Sequence, residues 1–299
     1  MEPVVPVLLD TDIGSDIDDA LCLAYLLRQP RCKLVGITTV TGQAQRRAML
    51  ADALCRIAGR EDIPIHSGAE TPLLVTQQQE YAPQADTLAQ FPHRKDFPPN
   101  TAVEFMRQTI RRRPGEITLL AIGPLTNVAL LFAVDPEIPR LLKGLVLMCG
   151  RFNLTVPYPS PREWNAMCDP HATAIVYRTP VSSHISIGLD VTTCCRMEAA
   201  ECRIRLRGGP LDVVSAMAEV WFGQGIGHIT FHDPLAGAVI FAPELCSWED
   251  GLVEVELLSR QVPGMTHWTP SDPPAPHRIA ATVDEERFFR HFFEIVGEG

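Results

Sequence analysis

Five carboxylates lie within ten residues near the start of the chain, and this density is the strongest chemical signal in the sequence. They belong to the segment Asp10-Thr-Asp12-Ile-Gly-Ser-Asp16-Ile-Asp18-Asp19. Like charges this close repel one another unless a cation or strong hydrogen-bond donors neutralise them. Carboxylate oxygens around a tight backbone, which Gly14 permits, are the ligands that Ca²⁺ and Mg²⁺ prefer. The segment therefore predicts a binding site for a metal ion or a polar substrate.

A simpler interpretation is a solvated acidic turn in which Asp18 or Asp19 caps the helix that follows. One capping aspartate would satisfy that role, whereas five would not, so we favour a binding site. The apolar run before the segment, residues 4–9, is typical of a buried strand in a parallel sheet. Open α/β sheets bind their ligands at the carboxyl ends of such strands. The acidic loop is therefore predicted at the edge of the sheet where ligands bind.

Three later segments place polar groups after predicted strands, on the same edge of the sheet. Residues 122–127 (Ile-Gly-Pro-Leu-Thr-Asn) form a tight turn whose carbonyls could ligate a cation. Glu163-Trp164-Asn165 surrounds an aromatic ring with a carboxylate and an amide, which suits a sugar. His232-Asp233-Pro234 would bring an imidazole and another carboxylate toward the acidic loop. Each is a weak signal alone: a motif such as Glu163-Trp164-Asn165 is more often a surface loop, and one such as His232-Asp233-Pro234 is commonly a helix cap with an N1 proline.

Strands and helices alternate along the chain, which predicts parallel βαβ units. Strands are predicted at 4–9, 33–39, 63–65, 117–122, 145–148 and 185–188. Helices are predicted at 20–27, 44–58, 100–112, 126–132, 171–177 and 235–241, with Asp169 and Asp284 capping the helices that follow them. No internal repeat or shift in composition marks a second domain. We expect residues 1–299 to form one α/β domain with a doubly wound, mainly parallel sheet.

Two long segments escape this pattern: residues 67–99 and residues 259–277, both rich in proline. Loops of this length in a compact domain usually act as lids or binding loops. Disorder is the competing explanation.

Composition excludes some classes of function. The net charge of −10 argues against a nucleic-acid partner, whose phosphates would be repelled. The basic run 111–113 is explained by a helix C-terminus, where cations complement the dipole. No stretch is long and apolar enough to span a membrane, and no secretion signal is evident, so we expect a cytoplasmic protein. The nine cysteines contain no C-x-x-C pair and fit buried, reduced thiols.

In their order, the motifs resemble the nucleoside hydrolases of the inosine-uridine-preferring family, which cleave the N-glycosidic bond of ribonucleosides. The resemblance runs through nearly the whole chain: Asp10-Thr-Asp12-Ile-Gly, Asp18-Asp19-Ala20-Leu21, Ile37-Thr38-Thr39-Val40, Gly123-Pro124-Leu125-Thr126-Asn127, Val146-Leu147-Met148, Glu163-Trp164-Asn165 and His232-Asp233-Pro234. It implies the nucleoside hydrolase fold, a small-molecule nucleoside substrate and a homodimer or homotetramer.

The resemblance also implies one Ca²⁺ per subunit, with the ligands Asp12, Asp19, Asp233 and the backbone carbonyl of Ile122. Asp12 would be the general base for a Ca²⁺-bound water, and His232 a candidate acid for the departing base. The substrate-binding residues that it implies are Asp18, Gln43, Met148, Asn153, Glu163, Trp164, Asn165 and Asp233. Of these, Asp18, Asn165 and Asp233 would meet the ribose hydroxyls. Asn153 and Glu163 would lie toward the 5′-hydroxyl.

The chemistry of the reaction agrees with these roles. Glycosidic cleavage passes through an oxocarbenium-like state, whose positive charge a pocket dense in carboxylates stabilises. A bound cation orients the 2′- and 3′-hydroxyls and lowers the pKa of a water, so that an aspartate can deprotonate it near neutral pH. Attack from the face opposite the leaving base would invert C1′.

The sequence departs from the family pattern at four places. The acidic loop has two extra residues that introduce Asp16, which could join the metal ligands and looks like a mark of a separate bacterial subgroup. Gln43 stands where an asparagine or aspartate is usual. Residues 80–86 lack the expected His-Gly and glycine-rich stretch, and Arg151 follows Gly150 where glycines are usual, which places a possible cation near the 5′ end. The preferred nucleobase therefore does not follow from the resemblance.

Two alternatives to a Ca²⁺-dependent ribonucleoside hydrolase remain. A non-catalytic nucleoside or ribose binder could keep the fold while its lid diverges. A phosphatase of the haloacid dehalogenase type also places D-x-D after its first strand. That pattern needs threonine or valine two residues beyond the second aspartate, where Gly14 stands, and leaves Glu163-Trp164-Asn165 and His232-Asp233-Pro234 unexplained. We favour the hydrolase.

Overall fold

The computed structural model describes residues 3–297. Its strands are β1 (Val5–Thr11), β2 (Cys32–Thr39), β3 (Ile65–Ser67), β4 (Thr118–Ala121), β5 (Gly144–Met148), β6 (His184–Ile187), β7 (Arg196–Glu198), β8 (His228–Thr230), β9 (Cys246–Val255), β10 (Thr266–Pro270) and β11 (His277–Val283). Its α-helices are α1 (Asp18–Arg28), α2 (Ala44–Ile57), α3 (Ala102–Arg111), α4 (Thr126–Val134), α5 (Ile138–Leu141), α6 (Trp164–Cys168), α7 (Pro170–Arg178), α8 (Leu189–Thr192), α9 (Ala199–Arg205), α10 (Pro210–Phe222), α11 (His232–Ala238) and α12 (Glu285–Val296).

Nine of these strands form one sheet in the order β10-β9-β11-β6-β5-β4-β1-β2-β3, and β7 pairs separately with β8. The strands from β3 to β11 in this order are all parallel to their neighbours. Strands β9 and β10 then extend that edge with antiparallel pairing. The prediction of a mainly parallel sheet is confirmed, and the antiparallel edge was not predicted.

Apolar side chains cover both faces of the sheet. In β1, Val7 and Leu9 belong to one hydrophobic cluster, whereas Leu8, which points the other way, belongs to a second cluster. Residues of α1, α2, α10, α11 and α12 complete the first cluster, and residues of α3, α4, α5 and α7 complete the second. A strand buried on both faces needs a continuous apolar run, which explains the composition of β1.

Two predicted helix caps are present in the structure, whereas other helix starts differ from the prediction: α3, predicted from residue 100, begins at Ala102. The side chain of Asp169 accepts a hydrogen bond from the backbone N–H of Ala172 at the start of α7, as predicted. Asp284 likewise caps α12. Helix α1 already begins at Asp18, so Asp18 and Asp19 lie in its first turn and do not precede it. Their negative charges stabilise the amino end of the helix dipole.

The two proline-rich segments differ from each other. In the segment 67–99, Ser67 ends β3, and the remaining residues contain a 3₁₀ helix, Pro83–Gln90, and no strand, as expected of a binding loop. The prediction that 259–277 is only a loop was wrong, because it contains the edge strand β10. An edge strand has one unpaired side and tolerates a proline such as Pro270. The fold therefore uses one segment as a cover for the ligand edge and the other to extend the sheet.

Among residues 3–297, no helix combines the length and the apolar character that a membrane span requires. All nine cysteines are free, and only Cys194 is exposed. This agrees with the prediction of reduced, mostly buried thiols.

Candidate active site

A cavity of about 560 Å³ opens at the carboxyl ends of the central strands. Strand β1 lies between β2 and β4, so the order of strands reverses at this point of the sheet. Such a switch point leaves a crevice between the loops that follow the two strands. Asp12 follows β1, Ile122 follows β4 and Met148 ends β5, and all three line the cavity. The predicted position of the acidic loop is confirmed.

Most of the predicted site residues meet in this cavity, although they are spread over more than 220 positions of the chain. Those that line it are Asp12, Asp18, Asp19, Ile122, Met148, Glu163, Trp164, Asn165, His232 and Asp233.

Gln43 and Asn153 lie outside the cavity lining, so the structure does not support their predicted substrate contacts. The Oε1 atom of Gln43 accepts a hydrogen bond from the backbone N–H of Ala82 at 2.9 Å, which fastens a neighbouring loop. Asn153 is exposed, and its Oδ1 accepts hydrogen bonds from the N–H and hydroxyl of Thr155. Both side chains stabilise local loop structure.

Three carboxylates form the centre of the cavity. One oxygen from each of Asp18, Asp19 and Asp233 lies within 4.8 Å of the others, and all three residues are buried. Burial and the neighbouring negative charges raise the pKa of each carboxyl well above its usual range. A hard divalent cation would remove this repulsion, and carboxylate oxygens are the ligands that it prefers. The trio therefore fits a metal ion.

Asp12 lies beside this trio. Its backbone N–H donates to Asp19 Oδ1 at 3.1 Å, and its carboxyl Oδ2 accepts a hydrogen bond from Gln79. A Cβ atom on Gly123 would lie 2.7 Å from Asp12 Oδ1, so only glycine fits there without displacing the carboxylate. The family resemblance implies Asp12, Asp19 and Asp233 as the carboxylate ligands, whereas the close trio contains Asp18 in place of Asp12.

The Glu163-Trp164-Asn165 segment is held in place by its own backbone. Glu163 caps α6: its carboxylate accepts hydrogen bonds from the backbone N–H of Asn165 at 2.6 Å and of Gly150 at 3.2 Å. Burial raises the pKa of Glu163 to about 7 despite these bonds. The amide of Asn165 donates to the carbonyl of Ile122 at 2.8 Å. The cap therefore fixes Asn165 between the ends of β4 and β5.

His232 opens α11 beside the acidic trio. One of its ring nitrogens, Nδ1, lies 2.7 Å from the hydroxyl of Thr192. Burial lowers the pKa of His232 to about 4, so the ring is neutral at pH 7. The next backbone N–H, that of Asp233, donates to Asp18 Oδ2 at 3.2 Å. The helix starts at His232, so Pro234 is its third residue and not, as the motif suggested, its first.

The two remaining aspartates of the acidic loop have different environments. Asp10 is buried outside the cavity lining, where Thr38 and Asn127 donate hydrogen bonds to its Oδ1 at 2.6 and 2.8 Å. It ties β1 to β2 and α4. Asp16 lines the cavity without belonging to the close trio, and its Oδ1 accepts from the backbone N–H of Ile17 at 2.6 Å. Burial raises the pKa of both carboxyls to about 7.

Arg151, which the sequence placed near the 5′ end of the sugar, is buried and engaged with the protein itself. Its guanidinium donates hydrogen bonds to the carbonyls of Leu154, Val156 and Ser160. These bonds fold the loop that carries Tyr158, and Tyr158 lines the cavity. Arg151 therefore organises the cavity wall and is not a free cation.

The sequence did not single out several residues that line the cavity: Ser15, Gln78, Gln79, Tyr158, Leu189, Trp221 and Gln224. Gln79 belongs to a run of three glutamines at 77–79, a signal that was available but was given no role. Trp221 lies on α10, a helix that was not predicted. We call residues 77–84, which cover the acidic loop, the lid.

The fold and the site together define an α/β protein with a cavity rich in buried carboxylates at the carboxyl ends of its parallel strands. The sequence model for "Inosine-uridine preferring nucleoside hydrolase" matches residues 7–290. The chain belongs to this family of N-glycosyl hydrolases.

Individual relatives agree with the family. The chain is 32% identical to a pyrimidine-specific ribonucleoside hydrolase of Citrobacter koseri, over 88% of this chain and 87% of the relative. It is 29% identical to uridine nucleosidase 1 of Arabidopsis thaliana, over 94% and 89% of the two chains. A solved plant nucleoside hydrolase superposes with a TM-score of 0.85 at 26% identity, covering 99% of this chain and 100% of the other.

Proposed function

We propose that this protein hydrolyses the N-glycosidic bond of ribonucleosides, releasing ribose and the free base, with one Ca²⁺ bound per subunit. The observation that carries the proposal is the buried trio Asp18, Asp19 and Asp233, with Asp12 beside it in the same cavity. The names of the relatives, a uridine nucleosidase and a pyrimidine-specific hydrolase, support a ribonucleoside substrate.

The trio would hold the Ca²⁺, together with Asp12 and the carbonyl of Ile122. These donors are all oxygens, which favours a hard cation over zinc. When bound, Ca²⁺ supplies positive charge that orients the ribose hydroxyls and lowers the pKa of the attacking water. The Asn165 amide donates a hydrogen bond to the carbonyl oxygen of Ile122. A carbonyl oxygen has two lone pairs, so the second lone pair of Ile122 could bind the ion.

The side chains of the cavity have different roles in the reaction. Asp12 accepts the proton of the attacking water. The surrounding carboxylates stabilise the positive charge that develops on the ribose, and Asp18, Asn165 and Asp233 contact its hydroxyls. The neutral ring of His232 has Nδ1 bonded to Thr192, which leaves Nε2 to assist the departing base. Attack opposite the base inverts C1′.

Release of free ribose from uridine, cytidine, inosine and adenosine, with and without a chelator, tests this function. We expect ribose from at least one nucleoside, and loss of this activity on chelation that added Ca²⁺ restores. Nucleoside binding without release would support the non-catalytic alternative. Phosphate release from p-nitrophenyl phosphate, with no ribose from any nucleoside, would support the phosphatase alternative.

Calcium should stabilise the protein, and more so as the pH rises. The trio has raised pKa values, so at pH values between about 4 and those raised values the folded state binds more protons than the unfolded state. The contribution of the trio to stability without the ion is therefore greatest at about pH 4 and below, and it falls as the pH rises. At one fixed Ca²⁺ concentration the Kd falls as the pH rises, because the carboxylates must lose their protons to bind the ion. Where that concentration reaches 100 times the Kd, Ca²⁺ adds about 2.7 kcal/mol, or roughly 5 °C in Tm. Thermal melts at pH 5.5 and 8.0, with and without Ca²⁺, measure this; an equal shift at both values contradicts it.

We also propose a cytoplasmic location and assembly as a homodimer or homotetramer. Free thiols at all nine cysteines support a reducing compartment. Light scattering of the purified protein would determine the number of subunits.

A further inference from the structure

Gln79 of the lid joins two walls of the cavity. Its side-chain Nε2 donates a hydrogen bond to Asp12 Oδ2, and its Oε1 accepts one from the indole N–H of Trp164. An ionised carboxylate can only accept and an indole can only donate, so these partners fix the orientation of the amide. Gln79 is 8% exposed. The bridge therefore connects two cavity residues that are 152 positions apart in the sequence (164 − 12).

Hydrogen bonds from Arg47 and Gln84 connect the lid that carries Gln79 to the acidic loop. Arg47 of α2, a fully buried arginine, donates from one guanidinium nitrogen to the carbonyl of Asp12 and from the other to the carbonyl of Tyr81 at 2.9 Å. The amide of Gln84 donates to the carbonyl of Ser15 at 2.9 Å. These bonds hold the lid and the acidic loop at a fixed distance, so Gln79 reaches Asp12 without any rearrangement of the lid.

The bridge also fixes the rotation of the Asp12 carboxylate. The bond from Gln79 engages Oδ2. The other oxygen, Oδ1, then lies on the side of Gly123, where a Cβ atom would approach to 2.7 Å. Oδ2 of Asp12 therefore accepts a hydrogen bond from Gln79, whereas Oδ1 has space beside it because Gly123 has no side chain.

We propose that Gln79 is a positioning residue for the hydrolytic reaction: its amide sets the orientation of the Asp12 carboxylate and ties that orientation to Trp164. The inference rests on the proposed function, because it concerns the carboxylate to which we assign the role of base. Gln79 acts through Asp12 and need not touch the substrate.

Gln79→Met tests this inference, because methionine keeps the length and approximate volume of glutamine but makes neither hydrogen bond. We expect kcat at saturating Ca²⁺ to fall by about 10- to 100-fold, the range for losing a hydrogen bond to a charged group, with a smaller change in KM. The effects of Gln79→Met and Trp164→Phe on kcat should not multiply: the double variant should lose less than the product of the two single losses, because each change breaks the same connection.

Gln78→Met is the matched control. Gln78 also lines the cavity, but its amide bonds the carbonyl of Thr76 within the same loop, so Gln78→Met should lower kcat much less than Gln79→Met does. A second readout does not depend on activity: the indole N–H resonance of Trp164, assigned with Trp164→Phe, should move in Gln79→Met and stay in place in Gln78→Met.

The outcomes are distinguishable. A parent enzyme that releases ribose, combined with equal kcat values for Gln79→Met and Gln78→Met, overturns the inference and leaves the proposed function intact. An unmoved Trp164 resonance in Gln79→Met overturns it as well. A parent enzyme that releases no ribose contradicts the proposed function, and the inference then falls with it.

Discussion

Asp12→Asn will reduce kcat for ribonucleoside hydrolysis by about 10³-fold or more while the protein stays folded, because general-base catalysis contributes on the order of 10² to 10⁴. The asparagine keeps the shape of the side chain but cannot accept the proton of the attacking water. Its amide can still bond Gln79, so the lid should remain in place. Measurement of kcat at saturating Ca²⁺, with a thermal melt of the same sample, separates loss of chemistry from loss of fold.

Asp16→Asn is the matched control, because Asp16 lies in the same acidic loop and lines the same cavity without belonging to the close trio. We expect a much smaller loss of kcat for this change. If Asp12→Asn retained kcat within about tenfold of the parent, a difference of about 1.4 kcal/mol, another group would be the base. A large loss in Asp16→Asn would then identify Asp16 as that group.

His232→Ala should reduce kcat/KM for natural nucleosides by about 10²-fold or more while largely sparing p-nitrophenyl riboside. A purine or pyrimidine leaves more readily when a donor assists it, whereas nitrophenolate leaves without a proton. The low pKa of His232, about 4, indicates that the ring would assist as a neutral donor at pH 7. Parallel assays of uridine, inosine and p-nitrophenyl riboside measure the difference.

Thr192→Val serves as the companion variant, because it removes the hydroxyl that lies 2.7 Å from His232 Nδ1 and leaves the imidazole in place. We expect it to show a weaker version of the same substrate dependence. Equal losses on all three substrates in His232→Ala would mean that the ring only packs in the cavity. The assisting group would then be sought on the lid, where Tyr81 lines the cavity.

Local features of the sequence determined the central part of the fold. The apolar run of β1 and the acidic residues after it placed a buried strand and a ligand-binding loop in the correct order. Strand and helix periodicity depends on neighbouring residues, so it can be recognised without knowledge of the rest of the chain. The carboxyl ends of adjacent parallel strands share one edge, which is why Asp12, Ile122 and Met148 were expected to meet.

Elements that depend on distant partners were harder to predict. Strand β10 contains Pro270 and is stabilised by pairing with β9. No local sequence pattern predicts this pairing. Its edge position, and not its composition, makes it a strand. Gln43 has a side chain suited to a sugar contact, but the chain conformation directs it to the backbone of Ala82. The carboxylate of Glu163 likewise accepts backbone hydrogen bonds that cap α6.

The arrangement of charges around the cavity was decided by tertiary structure alone. The sequence shows which aspartates are close along the chain, and the family resemblance implied Asp12 as the partner of Asp19 and Asp233. In the folded protein Asp18 completes the close trio, because α11 brings Asp233 against the first turn of α1. Asp12 is instead bonded by Gln79, a residue of the lid. Sequence fixes which groups can carry charge, whereas the distances that determine their pKa values and partners arise only when separate elements pack together.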